Sequence, residues 1–100
     1  ILLSRRVKTA EVSKMKLTAE ISCYPLQDNY LEPIKWFIGR VDSYENIQRV
    51  TNAMATQVVG EYSDVMSMLA IEMQAAHEKF GKAVFVCKFI GGELNLNHSE

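Results

Sequence analysis

Between residues 18 and 24 a polar side chain falls at every second position: Thr18, Glu20, Ser22 and Tyr24. The residues between and before them, Leu17, Ala19, Ile21 and Cys23, are apolar. Side chains of a β-strand alternate between its two faces, so this pattern predicts a strand over Lys16–Leu26 with one oily face and one polar face. The polar face carries a carboxylate, two hydroxyls and a phenol. Such a set can accept hydrogen bonds from an amino group, donate to a ring nitrogen and hold an aromatic or cationic ring. Asn52, Thr56 and Glu61 lie in later strand patterns and are candidates to join it. Together they suit a small, nitrogen-rich ligand. A second reading stands beside this one. The same polar face could form a hydrogen-bonded patch between subunits, with Glu20 paired to Lys88 of a neighbouring strand.

Other chemistry is excluded by motif. The chain has no GxSxG, HExxH, P-loop or GxGxxG signature, and no cysteine and histidine at a recognisable catalytic spacing. An acylphosphatase-like site needs a glycine-rich, arginine-bearing loop after the first strand, where this chain has Leu26-Gln27-Asp28-Asn29. RNA recognition needs exposed aromatics on central strands with basic flanks, and here only Tyr24 qualifies. Cys23 and Cys87 belong to no CxxC pair and have no histidine close in sequence, so metal-ligand spacing is absent. They read as small buried thiols of a cytoplasmic protein, with a disulfide between neighbouring strands as the alternative. No apolar run approaches the roughly 18 residues that a membrane span needs.

The elements that position these residues follow from periodicity. After the first strand, Asn29 and Glu32 have capping-box spacing and Pro33 suits a first helical turn. Leu31, Ile34, Phe37, Ile38 and Val41 recur at helical spacing and predict a helix over Tyr30–Val41; Trp36 lies off that stripe, at the core edge or on an oligomer or ligand surface. Thr, Val and Met in 48–61 predict two strands, Gln48–Met54 and Thr56–Glu61, with a corner at Ala55. Gly60 within the second marks a bulge or a close backbone approach. Ser63 and Asp64 signal a helix start; Val65, Met68, Leu69, Met73, Ala76 and Phe80 form its stripe, and Gly81 ends it. His77 sits at the edge of that stripe as a packing residue. Lys82–Ile90 is apolar on both alternating sets, which predicts a strand covered on both faces.

This order, β-α-β-β-α-β, is the ferredoxin-like α+β plan: an antiparallel four-stranded sheet in order 4-1-3-2 with two helices on one face. Residues 15–92 are expected to form the domain, residues 1–14 a leader or mobile tail, and residues 93–100 a C-terminal tail. The net charge of −1 combines a basic first segment with an acidic remainder, which invites neither nucleic acid nor membrane. An edge strand four with Val84, Val86 and Ile90 on its outer face predicts a homodimer or homotetramer.

Ala19-Glu20-Ile21-Ser22-Cys23-Tyr24-Pro25-Leu26 resembles the opening strand of the thiamine/hydroxymethylpyrimidine-binding family, the YkoF-like and related small thiamine-binding proteins. Ala55–Glu61, ATQVVGE, is similar to that family's third strand; Tyr62–Met66 and His77-Glu78-Lys79 are similar to segments of its second helix. The resemblance covers about Met15–Gly91. It implies a ferredoxin-like fold, assembly into oligomers, and binding of thiamine or its hydroxymethylpyrimidine moiety without catalysis or a required cofactor. Glu20, Ser22, Tyr24, Thr56 and Glu61 fall in the matched motifs, whereas Asn52 is placed by geometry alone. The chain holds one repeat where YkoF-type members hold two, so dimerisation would replace the tandem copy. The alternative is a structural or regulatory homo-oligomer with no small ligand.

Overall fold

The structure is a computed structural model, and it describes residues 15–52 and 55–96. Strand β1 is Lys16–Pro25, helix α1 Leu31–Asp42, β2 Gln48–Thr51, β3 Thr56–Glu61, helix α2 Tyr62–Phe80 and β4 Ala83–Gly91. The four strands form one antiparallel sheet in the order β2-β3-β1-β4. This is the expected 4-1-3-2 order read from the other edge, and the fold is ferredoxin-like.

Register assigns every residue to a face. Leu17 lies opposite Gly60, Ala19 opposite Val58 and Ile21 opposite Thr56. Leu17, Ala19 and Ile21 are buried and pack with Val58 against Phe37, Val41, Val65, Met68 and Leu69 of the two helices. This is the helix-covered face. Thr18, Glu20, Ser22 and Tyr24 point to the open face, as period two requires. Gly60 is a close approach rather than a bulge. A Cβ there would lie 3.2 Å from the Asn46 carbonyl oxygen, 3.2 Å from Ile47 Cγ1 and 3.4 Å from Val65 Cγ2.

Several local expectations are corrected. Helix α1 starts from Tyr30, whose backbone is helical and which offers no side-chain cap. Asn29 Nδ2 instead donates to the Glu32 carboxylate at 3.0 Å, so the two side chains bond each other rather than the backbone. Helix α2 follows β3 without a linker. Glu61, in extended backbone, precedes its first turn, which leaves Ser63 inside the helix rather than at its cap. Strand β2 ends at Thr51 because Asn52 and Ala55 close a turn on each other. The Asn52 N–H donates to the Ala55 carbonyl at 3.0 Å, and the Ala55 N–H to Asn52 Oδ1 at 3.0 Å. Met54, expected in that strand, lies outside the described residues, as do the segments 1–14 and 97–100. Thr18 is on the open face but is buried, because the chain after β4 crosses it. Its hydroxyl donates to the Gly92 carbonyl at 2.9 Å and accepts the Leu94 N–H at 3.1 Å. Strand β4 is not covered on both faces. Among the described residues it pairs only with β1, and Val84, Val86, Phe89 and Ile90 are each about half exposed.

The one charged side chain in the described core is Glu72, fully buried on the stripe of α2 between Met68 and Ala76. Its carboxylate accepts from Arg40 Nε at 3.0 Å, Arg40 Nη2 at 3.3 Å and the Tyr44 hydroxyl at 2.7 Å. A buried charge is tolerable only with such partners. The arrangement ties the end of α1 and its following turn to the middle of α2. Trp36 completes this junction, edge-on to Phe80 at 5.6 Å and under the Arg40 guanidinium at 5.9 Å.

Burial alone would raise the pKa of Glu72. The hydrogen bonds from Arg40 and Tyr44, with the Arg40 charge, outweigh it and hold the carboxyl below the usual range. A folded-state value below the unfolded one stabilises the protein above the ordinary glutamate value, about 4.3, and that stabilisation disappears as pH falls through the folded value. Glu72→Gln is expected to lose about 1–3 kcal/mol at pH 7. In urea titrations from pH 7 to pH 2.5 the difference between wild type and variant should shrink steadily below about pH 4.3. A difference that stays constant with pH would refute this account.

Candidate functional site

The C-terminal end of β1, the first half of α1 and the turn between β2 and β3 enclose a cleft of about 360 Å³. It lies where the helix layer stops short of the sheet's end. Strand β1 contributes Ile21, Ser22, Cys23, Tyr24 and Pro25; the start of α1 contributes Tyr30, Ile34, Phe37 and Ile38; the turn contributes Thr51, Asn52, Ala55 and Thr56. Tyr24 and Tyr30 stand at its mouth, 55% and 54% exposed. Phe37 and Ile21 belong to the core. Among the described residues no acid, base or histidine lines the cleft. Its described lining is aromatic, aliphatic, hydroxyl-bearing and amide-bearing.

The structure separates the residues that the sequence grouped together. Ser22, Tyr24, Asn52 and Thr56 line the cleft. Thr56 reaches it from the opposite face to the one expected, because its partner in register is Ile21. Its burial follows from that position beneath the helices. Glu20 does not line the cleft. It lies on the open face opposite Lys88 of β4 and Gln57 of β3. Glu20 and Lys88 share register but form no ion pair; among the described residues the ion pairs are Arg40–Glu72 and Arg49–Asp42. Glu61 pairs with Lys16 at the other end of the sheet. At about 3.3 Å per residue, Lys16 and Tyr24 are about 26 Å apart along β1, so Glu61 cannot meet a small ligand that Tyr24 contacts.

Sequence reasoning missed Tyr30, Ile34, Phe37, Ile38 and Thr51. The helix residues were legible as an apolar stripe, which gives no sign that one end of it faces a space. Thr51 carried a usable signal, since it and Thr56 share a parity set by the short turn between them. The two threonine hydroxyls are 3.1 Å apart, and Thr51 Oγ1 accepts from Arg49 Nη1 at 2.6 Å. Arg49 is held in turn by Asp42, with Nη2 donating to Oδ2 at 2.9 Å.

His77 takes no part in the cleft. Its Nε2–H donates to the Ala83 carbonyl at 3.0 Å and its ring meets Phe85 edge-on at 5.4 Å, which is a packing role. Cys23 and Cys87 are both free and half-buried. Among the described residues no group of three His, Cys, Asp or Glu side chains could hold a metal ion. No helix among them is long and apolar enough to cross a membrane.

No protein-family model matches the chain. No curated protein matches it either. Solved structures do match. One is a protein from Thermotoga maritima provisionally described as a thiamine biosynthesis/salvage protein, 18% identical, with a TM-score of 0.68 over 74% of this chain and 81% of that one. A protein from Streptococcus pneumoniae is 21% identical, with a TM-score of 0.73 over 80% of this chain and 90% of that one. A domain of unknown function from Bacillus cereus is 14% identical, with a TM-score of 0.68 over 85% and 88%. At these identities the likeness is one of fold.

Burial raises the pKa of both the Cys23 and the Cys87 thiol. The thiolate is the reactive form, so both should alkylate more slowly than a free thiol. Iodoacetamide at pH 7.5, followed by intact mass, is expected to label each at a rate below that of glutathione. Labelling faster than glutathione at Cys23 would show an activated thiol in the cleft.

Proposed function

We propose that this chain is a non-catalytic, cytoplasmic binding protein for thiamine or its hydroxymethylpyrimidine moiety, acting as a homo-oligomer. The observation that carries the reading is the uncharged cleft of about 360 Å³ with two tyrosines at its mouth and a pair of threonine hydroxyls in its wall. That volume falls in the range of small-ligand pockets, about 300–1,000 Å³. Tyrosine faces suit a flat heteroaromatic ring, and hydroxyls and an amide suit ring nitrogens and an exocyclic amino group. The strand-one motif Ala19–Leu26, which resembles that of thiamine-binding proteins, forms one wall of the cleft. A structural neighbour of this fold is provisionally described as a thiamine biosynthesis/salvage protein.

A binding role without chemistry agrees with the lining. The described lining offers no carboxylate, imidazole or amine to move a proton, and burial raises the pKa of its thiol. Among the described lining residues no lysine or arginine is present to pair the charge of a phosphate ester, which disfavours one.

Calorimetric titration with thiamine, hydroxymethylpyrimidine and thiamine monophosphate tests the reading. Binding of the first two is expected, and the phosphate ester should bind more weakly. Tyr24→Ala should weaken binding about tenfold by loss of ring contact. Glu20→Ala should leave affinity within about twofold, because Glu20 lies outside the cleft. No heat with thiamine or the pyrimidine would end the ligand assignment, and a large loss in Glu20→Ala would move the site to the open face.

The exposed row Val84, Val86 and Ile90 supports the oligomer and also the second reading, a structural or regulatory assembly with no small ligand. An edge strand with an apolar outer face is a surface for pairing with another copy. Val86→Glu should convert the assembly to monomer in sedimentation velocity. A wild-type monomer would refute oligomerisation under both readings. Retained assembly together with no ligand-induced rise in melting temperature would favour the second.

A further inference from the structure

The cleft's polarity is set from outside it. Arg49 lies on the helix side of the edge strand β2, opposite Val58. Its Nε and Nη2 grip the two oxygens of Asp42 at the end of α1, which fixes the plane of the guanidinium. Its remaining terminal nitrogen, Nη1, donates to Thr51 Oγ1 at 2.6 Å. Arginine has donors and no acceptor, so this bond has one direction only. Thr51 Oγ1 must accept there, and its own hydrogen must point elsewhere.

The hydroxyl hydrogens can then be counted. Thr51 and Thr56 hold one each, and a single contact of 3.1 Å joins the two oxygens. If Thr51 donates to Thr56, the Thr56 hydrogen is unspent. If Thr56 donates, the Thr51 hydrogen is unspent. In either arrangement one O–H is left over, and both residues line the cleft. The neighbouring wall is apolar, with Ile21 directly opposite Thr56 in register and Phe37 above it. Thr56 is buried, so a spare donor there costs free energy that a ligand acceptor relieves; on exposed Thr51 water accepts the spare hydrogen until a ligand acceptor takes its place. The arginine adds a bias. It occupies one lone pair of the hydroxyl pair, and its charge draws electron density away from the hydrogen that remains. Asp42 balances the charge of Arg49, so the wall donates without becoming a cation.

We propose that the Thr51–Thr56 pair is the specificity-determining donor of the cleft, that it selects flat heteroaromatic ligands bearing a ring-nitrogen acceptor, and that Arg49 is its positioning residue. This rests on the cleft being a heteroaromatic binding site, as argued above, but not on the ligand being thiamine.

The test uses two probes of the same shape. 4-Amino-2-methylpyrimidine carries ring nitrogens; 3-methylaniline has the same substituents and C–H groups in their place. Both are titrated by NMR chemical shift into wild type, Thr56→Val, Thr56→Ser and Arg49→Met. Wild type should prefer the pyrimidine about tenfold. Thr56→Val should reduce that ratio to within about twofold, and Thr56→Ser should restore it. Arg49→Met should lower it to about threefold. A ratio of two affinities on one variant is insensitive to lost stability, so a purely structural role for Arg49 would leave it unchanged. If Arg49→Met does not fold, Arg49→Lys replaces it, since one ammonium cannot keep both the Asp42 and the Thr51 geometry; the same fall is expected. A wild type that does not discriminate between the probes, including one that binds neither, overturns the proposal, as does an unchanged ratio in Thr56→Val or in the folded Arg49 variant. If the ratio behaves as expected while thiamine and hydroxymethylpyrimidine fail to bind in calorimetry, the vitamin assignment falls and the donor assignment stands.

Discussion

Strand β1 is hydrogen-bonded along both edges, to β3 on one side and β4 on the other. That double pairing is the constraint on which the rest depends. It locks the register of the central strand, and a slip of one residue would turn Leu17, Ala19 and Ile21 out of the core and bring Thr18, Glu20 and Ser22 under the helices. The helices pack only because this oily row is continuous with Val58 and with Phe37, Val41, Val65, Met68 and Leu69. The cleft exists for the same reason. It opens where β1 runs past the end of the helix layer, so one strand serves as core at its middle and as wall at its end.

Two polar arrangements tie these elements together, and they differ in what they leave over. Around Glu72, Arg40 and Tyr44 supply three donor contacts to one carboxylate, and both of its oxygens are bonded. Around Arg49, the ion pair to Asp42 and the bond to Thr51 run outward to a pair of hydroxyls that retains one donor. The first is a clamp between helices. The second couples the end of α1 to the edge strand and reaches the cleft wall.

Much of the fold was legible. The alternation in Lys16–Leu26, the helical spacing of Phe37 and Val41 and of Val65, Met68 and Leu69, and the strand over Thr56–Glu61 are all local patterns, and local patterns survive folding when burial rewards them. Caps were less legible. Asn29 and Ser63 have the right chemistry, but a side chain at such a position has competing partners, and Asn29 took the Glu32 carboxylate. The site was half legible. Ser22 and Tyr24 share a strand, so their proximity is fixed by period and distance along one chain. Glu61 and Thr56 were grouped with them only by residue type. Register then set Glu61 at the far end of the sheet and turned Thr56 to the helix side.

By itself the sequence determined the order of elements, the split of β1 into an oily and a polar face, and the lack of any standard catalytic or metal-binding motif. Those properties depend on neighbours within a few residues, where geometry leaves little choice. Tertiary structure decided which polar residues meet. Antiparallel register brings Thr51 beside Thr56, and helix packing places Asp42 within reach of Arg49 and sets Glu72 against Arg40 and Tyr44. These contacts join separate elements, and their partners are chosen by the packing of helices on a twisted sheet. The cleft belongs to the same class. A space is defined by where several elements end, and nothing in the residues that line it marks that end in advance.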